Sequence, residues 1–185
     1  VNLLSNGNYG VLISNMGSGY STWRDIDLTR WQADGVLDPW GTWIYIQDLN
    51  LAQGEEATAG RLWSTGVQPI PGNAANMQVT FFAHMAVFHR TEHNITSTME
   101  VTVCPDDPVE IRRIHLHNAS SELRHLRLTS YGEVILTQQV ADSRHPVFNK
   151  LFIESEFVPE LNLQIFTRRS RSSEEKPVFM GHMLV

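Results

Sequence analysis

Ile95-Thr96-Ser97-Thr98-Met99-Glu100-Val101-Thr102-Val103 is the stretch whose reading decides the fold class. Ile95, Ser97, Met99, Val101 and Val103 alternate with Thr96, Thr98, Glu100 and Thr102. A period of two in a β-branched run places one set of side chains against a core and the other towards water, which is a half-buried strand. Similar runs lie at residues 9–14, 43–49, 77–83, 85–90, 109–117, 123–131, 148–158 and 163–168. Turn chemistry separates them: Ser5-Asn6-Gly7-Asn8, residues 69–72, Pro105-Asp106-Asp107-Pro108 and Asn118-Ala119-Ser120-Ser121. Short strands at this spacing predict an all-β fold, an antiparallel β-sandwich. Residues 22–33 are the one stretch with a helical reading, weakened by Thr29, Trp31 and the flanking glycines. The alternation in 109–117 breaks at Arg112-Arg113, which predicts a β-bulge.

The chain has 185 residues, 42% hydrophobic and 18% charged, which fits one globular domain over residues 1–185. No run of 18 apolar residues exists, so no membrane contact is expected from this segment. The net charge of −6 argues against nucleic acid as a partner. The single cysteine, Cys104, excludes an internal disulfide and a multi-cysteine zinc site. The first residue is Val1, and the chain ends inside the apolar run 178–185, which reads as a piece cut from a longer polypeptide. All five tryptophans fall within the first 63 residues and all eight phenylalanines at 81 or later, with ten of the twelve glycines at or before Gly72. The first third is therefore expected to be irregular and the remainder regular strand, and loops on a rigid scaffold are where binding resides.

The densest chemistry runs from Gly17-Ser18-Gly19-Tyr20-Ser21-Thr22-Trp23-Arg24-Asp25 to Asp27, Arg30 and Trp31. Glycines let a ligand approach the backbone, aromatic rings take the C–H faces of sugars, and a guanidinium with a carboxylate matches vicinal hydroxyls. Gly19, Tyr20, Ser21, Trp23, Arg24 and Asp25 are the candidate substrate-binding residues. The competing reading makes Trp23 and Trp31 core and Arg24–Asp25 a structural ion pair. The glycine spacing lacks the third glycine or the Gly-Lys-Ser/Thr of a phosphate loop, so no nucleotide cofactor is expected. Asp25, Asp27, Asp34 and Asp38 are weak candidates for an acid–base pair. His115-x-His117 places two imidazoles on one strand face without an identifiable third ligand, so no metal is assigned.

Several motifs resemble the phosphorylase-like region of cyclic β-1,2-glucan synthases, in glycoside hydrolase family 94, formerly glycosyltransferase family 36. They are Leu3-Leu4-Ser5-Asn6-Gly7-x-Tyr9, Gly17-Ser18-Gly19-Tyr20-Ser21-x-Trp23-Arg24-Asp25, Thr29-Arg30-Trp31 and Asp38-x-Trp40-Gly41-x-Trp43-Ile44-Tyr45-Ile46-x-Asp48. Leu62-Trp63-Ser64-x-Gly66, Glu110-x-Arg112-Arg113, Leu128-Thr129-Ser130-Tyr131-x-Glu133 and His145-Pro146-x-Phe148-x-Lys150-Leu151-Phe152 continue the likeness in order. The resemblance implies an N-terminal supersandwich, similar to galactose mutarotase, followed in the parent by a helical linker and an (α/α)6 barrel. That barrel carries the catalytic acid and the phosphate site, so no catalytic residue transfers to this chain and no enzyme activity is expected of it alone. The family sandwich is longer than this chain, which implies truncation at the C-terminus. The implied partners are a β-glucan or oligosaccharide, the barrel of the same parent and, because a sandwich loop reaches the partner subunit's site in dimeric members, a homodimer. The implied location is cytoplasmic, with the parent anchored in a bacterial inner membrane. The alternatives are a mutarotase-like epimerase using His115 or His117 with Glu133, and a purely architectural domain.

Overall fold

The computed structural model describes residues 1–34, 36–50, 61–170 and 176–185. In chain order its strands are β1 (Asn2–Ser5), β2 (Tyr9–Ile13), β3 (Gly19–Trp23), β4 (Ile26–Thr29), β5 (Trp43–Asp48), β6 (Arg61–Ser64), β7 (Met77–Phe81) and β8 (Ala86–Glu92). They continue as β9 (Ile95–Val103), β10 (Glu110–Asn118), β11 (Leu126–Tyr131), β12 (Val134–Thr137), β13 (Ile153–Val158), β14 (Leu163–Arg168) and β15 (Val178–Met183). Helices α1 (Gln139–Arg144) and α2 (Pro146–Lys150) stand between β12 and β13. The all-β expectation holds.

The described residues form four antiparallel sheets, in the orders β1-β2-β3-β4-β12, β10-β9-β8-β7, β11-β5-β6 and β13-β14-β15. The period of two in β9 is spatial: Ile95, Ser97, Met99 and Val101 are buried and the residues between them half-exposed. A one-residue slip would turn that whole set to solvent, so the pattern fixes the register. Leu4, Val11, Ile13, Leu28 and Leu136 of the five-stranded sheet pack on Ala86, Phe88, Met99 and Val101 of the four-stranded sheet to make the main core. Ile46, Trp63 and Ile95 form a second cluster. Two of the expected turns are tied together, because the Asn6 side-chain amide donates to the carbonyls of Cys104 (2.8 Å) and Asp107 (2.9 Å).

Three expectations need correction. The irregularity expected of the first third holds only in part: β1 to β4 occupy most of residues 2–29, with residues 17–25 largely strand and hairpin turn, whereas the described residues between Thr29 and Trp43 carry no strand or helix. In β3 and β4, strands of five and four residues on either side of a two-residue turn leave too few repeats for the alternation to register. Nor does Arg112-Arg113 form a bulge: β10 pairs with β9 without a register shift from Glu110↔Val103 to Asn118↔Ile95. The alternation there is intact, because Glu110, Arg112 and Ile114 share the inward face and the two charges neutralise each other across it. Finally, residues 148–158 are not one strand: α2 occupies Pro146–Lys150, and β13 begins at Ile153. Pro146 sits in the first turn of α2, where its missing N–H costs nothing.

Candidate functional site

The candidate residues lie on one hairpin. β3 pairs with β4 through Thr22↔Asp27 and Trp23↔Ile26, which leaves Arg24 and Asp25 as a two-residue turn. Arg24 takes a left-handed φ of 56°, the conformation such a tight turn requires. Its N–H donates to the carbonyl of Asn8 at 2.7 Å, fixing the tip against the turn that precedes β2.

Alternation divides the six candidates between two faces. Gly19, Ser21 and Trp23 face inward and Tyr20 outward. Gly19 adopts φ +145°, and a Cβ there would lie 1.8 Å from the Leu12 carbonyl oxygen, so the strand depends on glycine. Ser21 is buried; its hydroxyl donates to Glu110 Oε2 and its N–H to Thr29 Oγ1 at 3.0 Å. Trp23 is half-buried against the core with the Arg24 guanidinium 4.7 Å from its ring centroid. Tyr20 stacks on Trp31 with centroids 5.5 Å apart and planes 25° apart. Asp25 is exposed and accepts the Gln138 side-chain amide at 3.4 Å. Among the described residues no ion pair joins Arg24 to Asp25, so the structural-pair reading of these two does not hold. Asp25 also borders a half-open cavity of about 300 Å3 with Thr137, Gln138, Arg168 and Lys176.

Beneath the hairpin lies a buried polar lock. Glu110 accepts Ser21 and Tyr9 hydroxyls and the Arg112 guanidinium, while Arg112 also donates to the Thr42 carbonyl at 2.6 Å. Burial pushes the Glu110 carboxyl up, but the Arg112 charge and the three hydrogen bonds outweigh it and hold its pKa below the ordinary carboxylate range. Burial, then the Glu110 charge, drives the Tyr9 phenol well above its ordinary value, so it stays a neutral donor.

A second lock stands beside the hairpin. Arg30, 5% exposed, donates from Nε and from one terminal nitrogen to both carboxylate oxygens of Asp142, each at 2.7 Å, and also reaches Glu133 and the Pro146 carbonyl. Asn149 on α2 donates to Asp142 Oδ1 at 3.3 Å, and Lys150 pairs with Glu133 at 3.0 Å. Both helices are thereby pinned to the end of the five-stranded sheet. On β4, opposite Thr22 of β3 and Thr137 of β12, Asp27 is half-buried; burial raises its pKa, the Thr22 hydrogen bond opposes that, and the Asp142 charge adds to the rise.

The other candidates are not brought together. His115 lies 3.7 Å from Glu100 on the exposed side of β10, and Glu133 is engaged by Arg30 and Lys150, so the epimerase pairing of His115 or His117 with Glu133 gains no geometry. Asp38 accepts the Ser14 hydroxyl at 2.8 Å and the Ser18 hydroxyl, which is a loop clasp. Among the described residues no group of three or more His, Cys, Asp or Glu is placed to hold a metal ion. No helix among them is long and apolar enough to cross a membrane. Sequence reasoning missed Asp142 and the α1 segment, and left Glu110 as part of a motif without a role. The one usable signal for the latter was Glu110-x-Arg112, two opposite charges on one strand face.

Comparison with known proteins agrees with the resemblance read from the motifs. Over residues 1–185 the chain matches the family described as glycosyl hydrolase 94, supersandwich domain. It is 32% identical over 182 residues to the cyclic beta-(1,2)-glucan synthase NdvB of Rhizobium meliloti (strain 1021). That match takes in 98% of this chain and 6% of the relative's length.

Proposed function

The chain belongs to the supersandwich-domain family of glycosyl hydrolase 94, and from that premise we propose that it is the structural, carbohydrate-binding N-terminal sandwich of a β-glucan-acting glycosyltransferase or glycoside phosphorylase. The parent is a larger multidomain enzyme similar to a cyclic β-1,2-glucan synthase, and chemistry takes place in its helical barrel rather than in residues 1–185. The sandwich contributes the Gly19–Asp25 hairpin to the edge of the sugar site. Tyr20 supplies a ring face, Trp23 and Arg24 a stacked pair, and Arg24 and Asp25 a donor fork and an acceptor. Gly19 and Ser21 act from below, by shaping the strand and anchoring it. The glucan, the barrel and a second copy of the parent are the expected partners.

The observation that carries this reading is the separation of roles within one short hairpin. Ser21 is locked to buried Glu110, while Arg24 and Asp25 stand exposed at the tip and neither is spent on the other. A tip held rigid from below, with an exposed guanidinium and carboxylate that are not paired with each other, is organised for contact at low entropic cost. The test is titration of the chain with a β-1,2-glucan oligosaccharide, by calorimetry, for wild type, Tyr20→Ala, Arg24→Ala and Asp25→Asn. Weakened binding in all three variants is expected, with an unchanged melting temperature for Arg24→Ala and Asp25→Asn and a small decrease for Tyr20→Ala, which loses the stack on Trp31. Absence of any binding to the wild-type chain leaves the architectural reading.

A further inference from the structure

Trp31 belongs to the constellation that the sequence singles out, yet the hairpin reading does not use it. The chain leaves β4 at Thr29, and Trp31 and Gln32 then run past the start of α1. Between them is a half-open cavity of about 240 Å3, lined by Trp31 and Gln32 on one side, Gln139, Val140 and Ser143 of α1 on the other, and Ile135. Sites for drug-sized ligands run roughly 300–1,000 Å3, so this one has the size for a single ring.

Its chemistry selects the ring. Trp31 and Val140 offer apolar surface; Gln32, Gln139 and Ser143 offer two amides and a hydroxyl, groups that both donate and accept. Among the described residues the one charged group on the lining is Asp142, and both its carboxylate oxygens are taken by Arg30. A wall with an aromatic face, mixed donor–acceptor groups and no uncompensated charge suits a neutral polyol with an apolar face, and a pyranose is such a molecule. The site is also rigid: the Arg30–Asp142 pair and the Asn149 bond to the Ala141 carbonyl at 3.1 Å fix α1, and the Gln139 amide reaches the Trp31 carbonyl at 3.4 Å. Tyr20 backs Trp31 through their stack, so the cavity adjoins the ring that the hairpin presents.

We infer that this cavity is a second sugar subsite, which takes one pyranose unit of a neutral glucan against Trp31 with Gln32, Gln139 and Ser143 on its hydroxyls. The inference rests on the reading above that the chain meets a glucan, and it extends the contact from the hairpin tip to α1.

The test is a titration of the 15N-labelled chain with a short β-1,2-glucan oligosaccharide, followed by amide and indole chemical shifts, with calorimetry on a Gln139→Ala/Ser143→Ala variant. Both substituted side chains are exposed, so a native amide spectrum of the variant is expected and confirms its fold. The subsite predicts saturable shifts at the Trp31 indole and the amides of Gln32, Gln139 and Ser143, and a dissociation constant raised about tenfold in the variant, as two lost hydrogen bonds would give. Shifts confined to Arg24 and Asp25 with unchanged affinity in the variant would overturn the subsite and leave the hairpin reading intact. Shifts at Trp31 and α1 without any at the hairpin tip would keep the subsite and remove the hairpin. A spectrum that ignores the sugar overturns both.

Discussion

Arg30 and Asp142, 112 residues apart in the chain, meet through two parallel hydrogen bonds of 2.7 Å each. The pair is buried on both sides, and the planar guanidinium presents its donors in the geometry that a carboxylate accepts. Hydrogen bonding to Asp142 raises the Arg30 pKa, burial opposes that, and the charges of Asp142 and Glu133 add to the rise, so the charged form persists. The pair links the segment just past β4 of the candidate hairpin to α1, which carries one wall of the cavity.

Arg30→Ala should therefore destabilise the chain by roughly 3–5 kcal/mol, the cost of leaving a buried carboxylate without its partner. Arg30→Lys should recover only part of this, because one ammonium cannot satisfy both Asp142 oxygens, Glu133 and the Pro146 carbonyl in a plane. Urea unfolding at pH 7 measures both. A lysine variant within about 0.5 kcal/mol of wild type would show that the bidentate geometry contributes little.

Gly19→Ala is expected to be disruptive beyond its size. The φ of +145° is strained for any L side chain, at roughly 1–3 kcal/mol, and the new methyl would collide with the Leu12 carbonyl oxygen. β2 and β3 would have to part where Ile13 pairs with Gly19. Faster hydrogen exchange at the β2–β3 amides is the signature; unchanged protection would mean that the strands stay paired and accommodate the methyl without separating.

Glu110 and Asp27 should give opposite pH profiles. The folded-state pKa of Glu110 lies below its ordinary 4.5, so its stabilising effect is present above that value and is lost as pH falls through the folded pKa. Asp27 is raised above its ordinary 3.8, so its stabilising effect exists at low pH and is lost as pH rises from 3.8 through the folded pKa. Glu110→Gln should flatten the acid limb of stability against pH, and Asp27→Asn should stabilise the chain at pH 7. Denaturant midpoints from pH 3 to pH 7 test both, and parallel profiles for wild type and Glu110→Gln would contradict the lock on that carboxylate.

The regular part of the fold was legible because β9 and its neighbours are long enough for a period of two to repeat. β3 and β4 were not, with five and four residues on either side of a two-residue turn. Local chemistry disguised two further elements. Arg112-Arg113 interrupts the alternation of residue types, but Glu110 compensates the Arg112 charge on the inner face, so the strand stays regular. The α1 helix has six residues, too few for a helical period to repeat, and its tie to the sheet comes from Arg30, which no local window contains. The candidate site was half legible for the same reason. Residue types marked the hairpin, but only pairing across strands shows that Ser21 points down to Glu110 and Tyr20 up to Trp31.

Leu136 provides a test in which two effects of known size oppose each other. It is 1% exposed, in the main core, yet its φ is +47°, at the register shift between β12 and β4. A left-handed conformation costs an L residue roughly 1–2 kcal/mol, whereas removing a buried leucine side chain costs roughly 2–5 kcal/mol. Burial wins, which is why a leucine stays where glycine would be relaxed. Both Leu136→Ala and Leu136→Gly should destabilise the chain, but in an unusual order. In an ordinary strand glycine is worse than alanine by about 0.5–1 kcal/mol. Here alanine keeps the strain and opens the cavity, while glycine opens the cavity and releases the strain, so the glycine variant should be the more stable of the two. Urea unfolding of both variants side by side decides it: an alanine variant ahead by the usual margin would mean that Leu136 is not strained, and that the register shift at β12 is held by something other than the burial of its side chain.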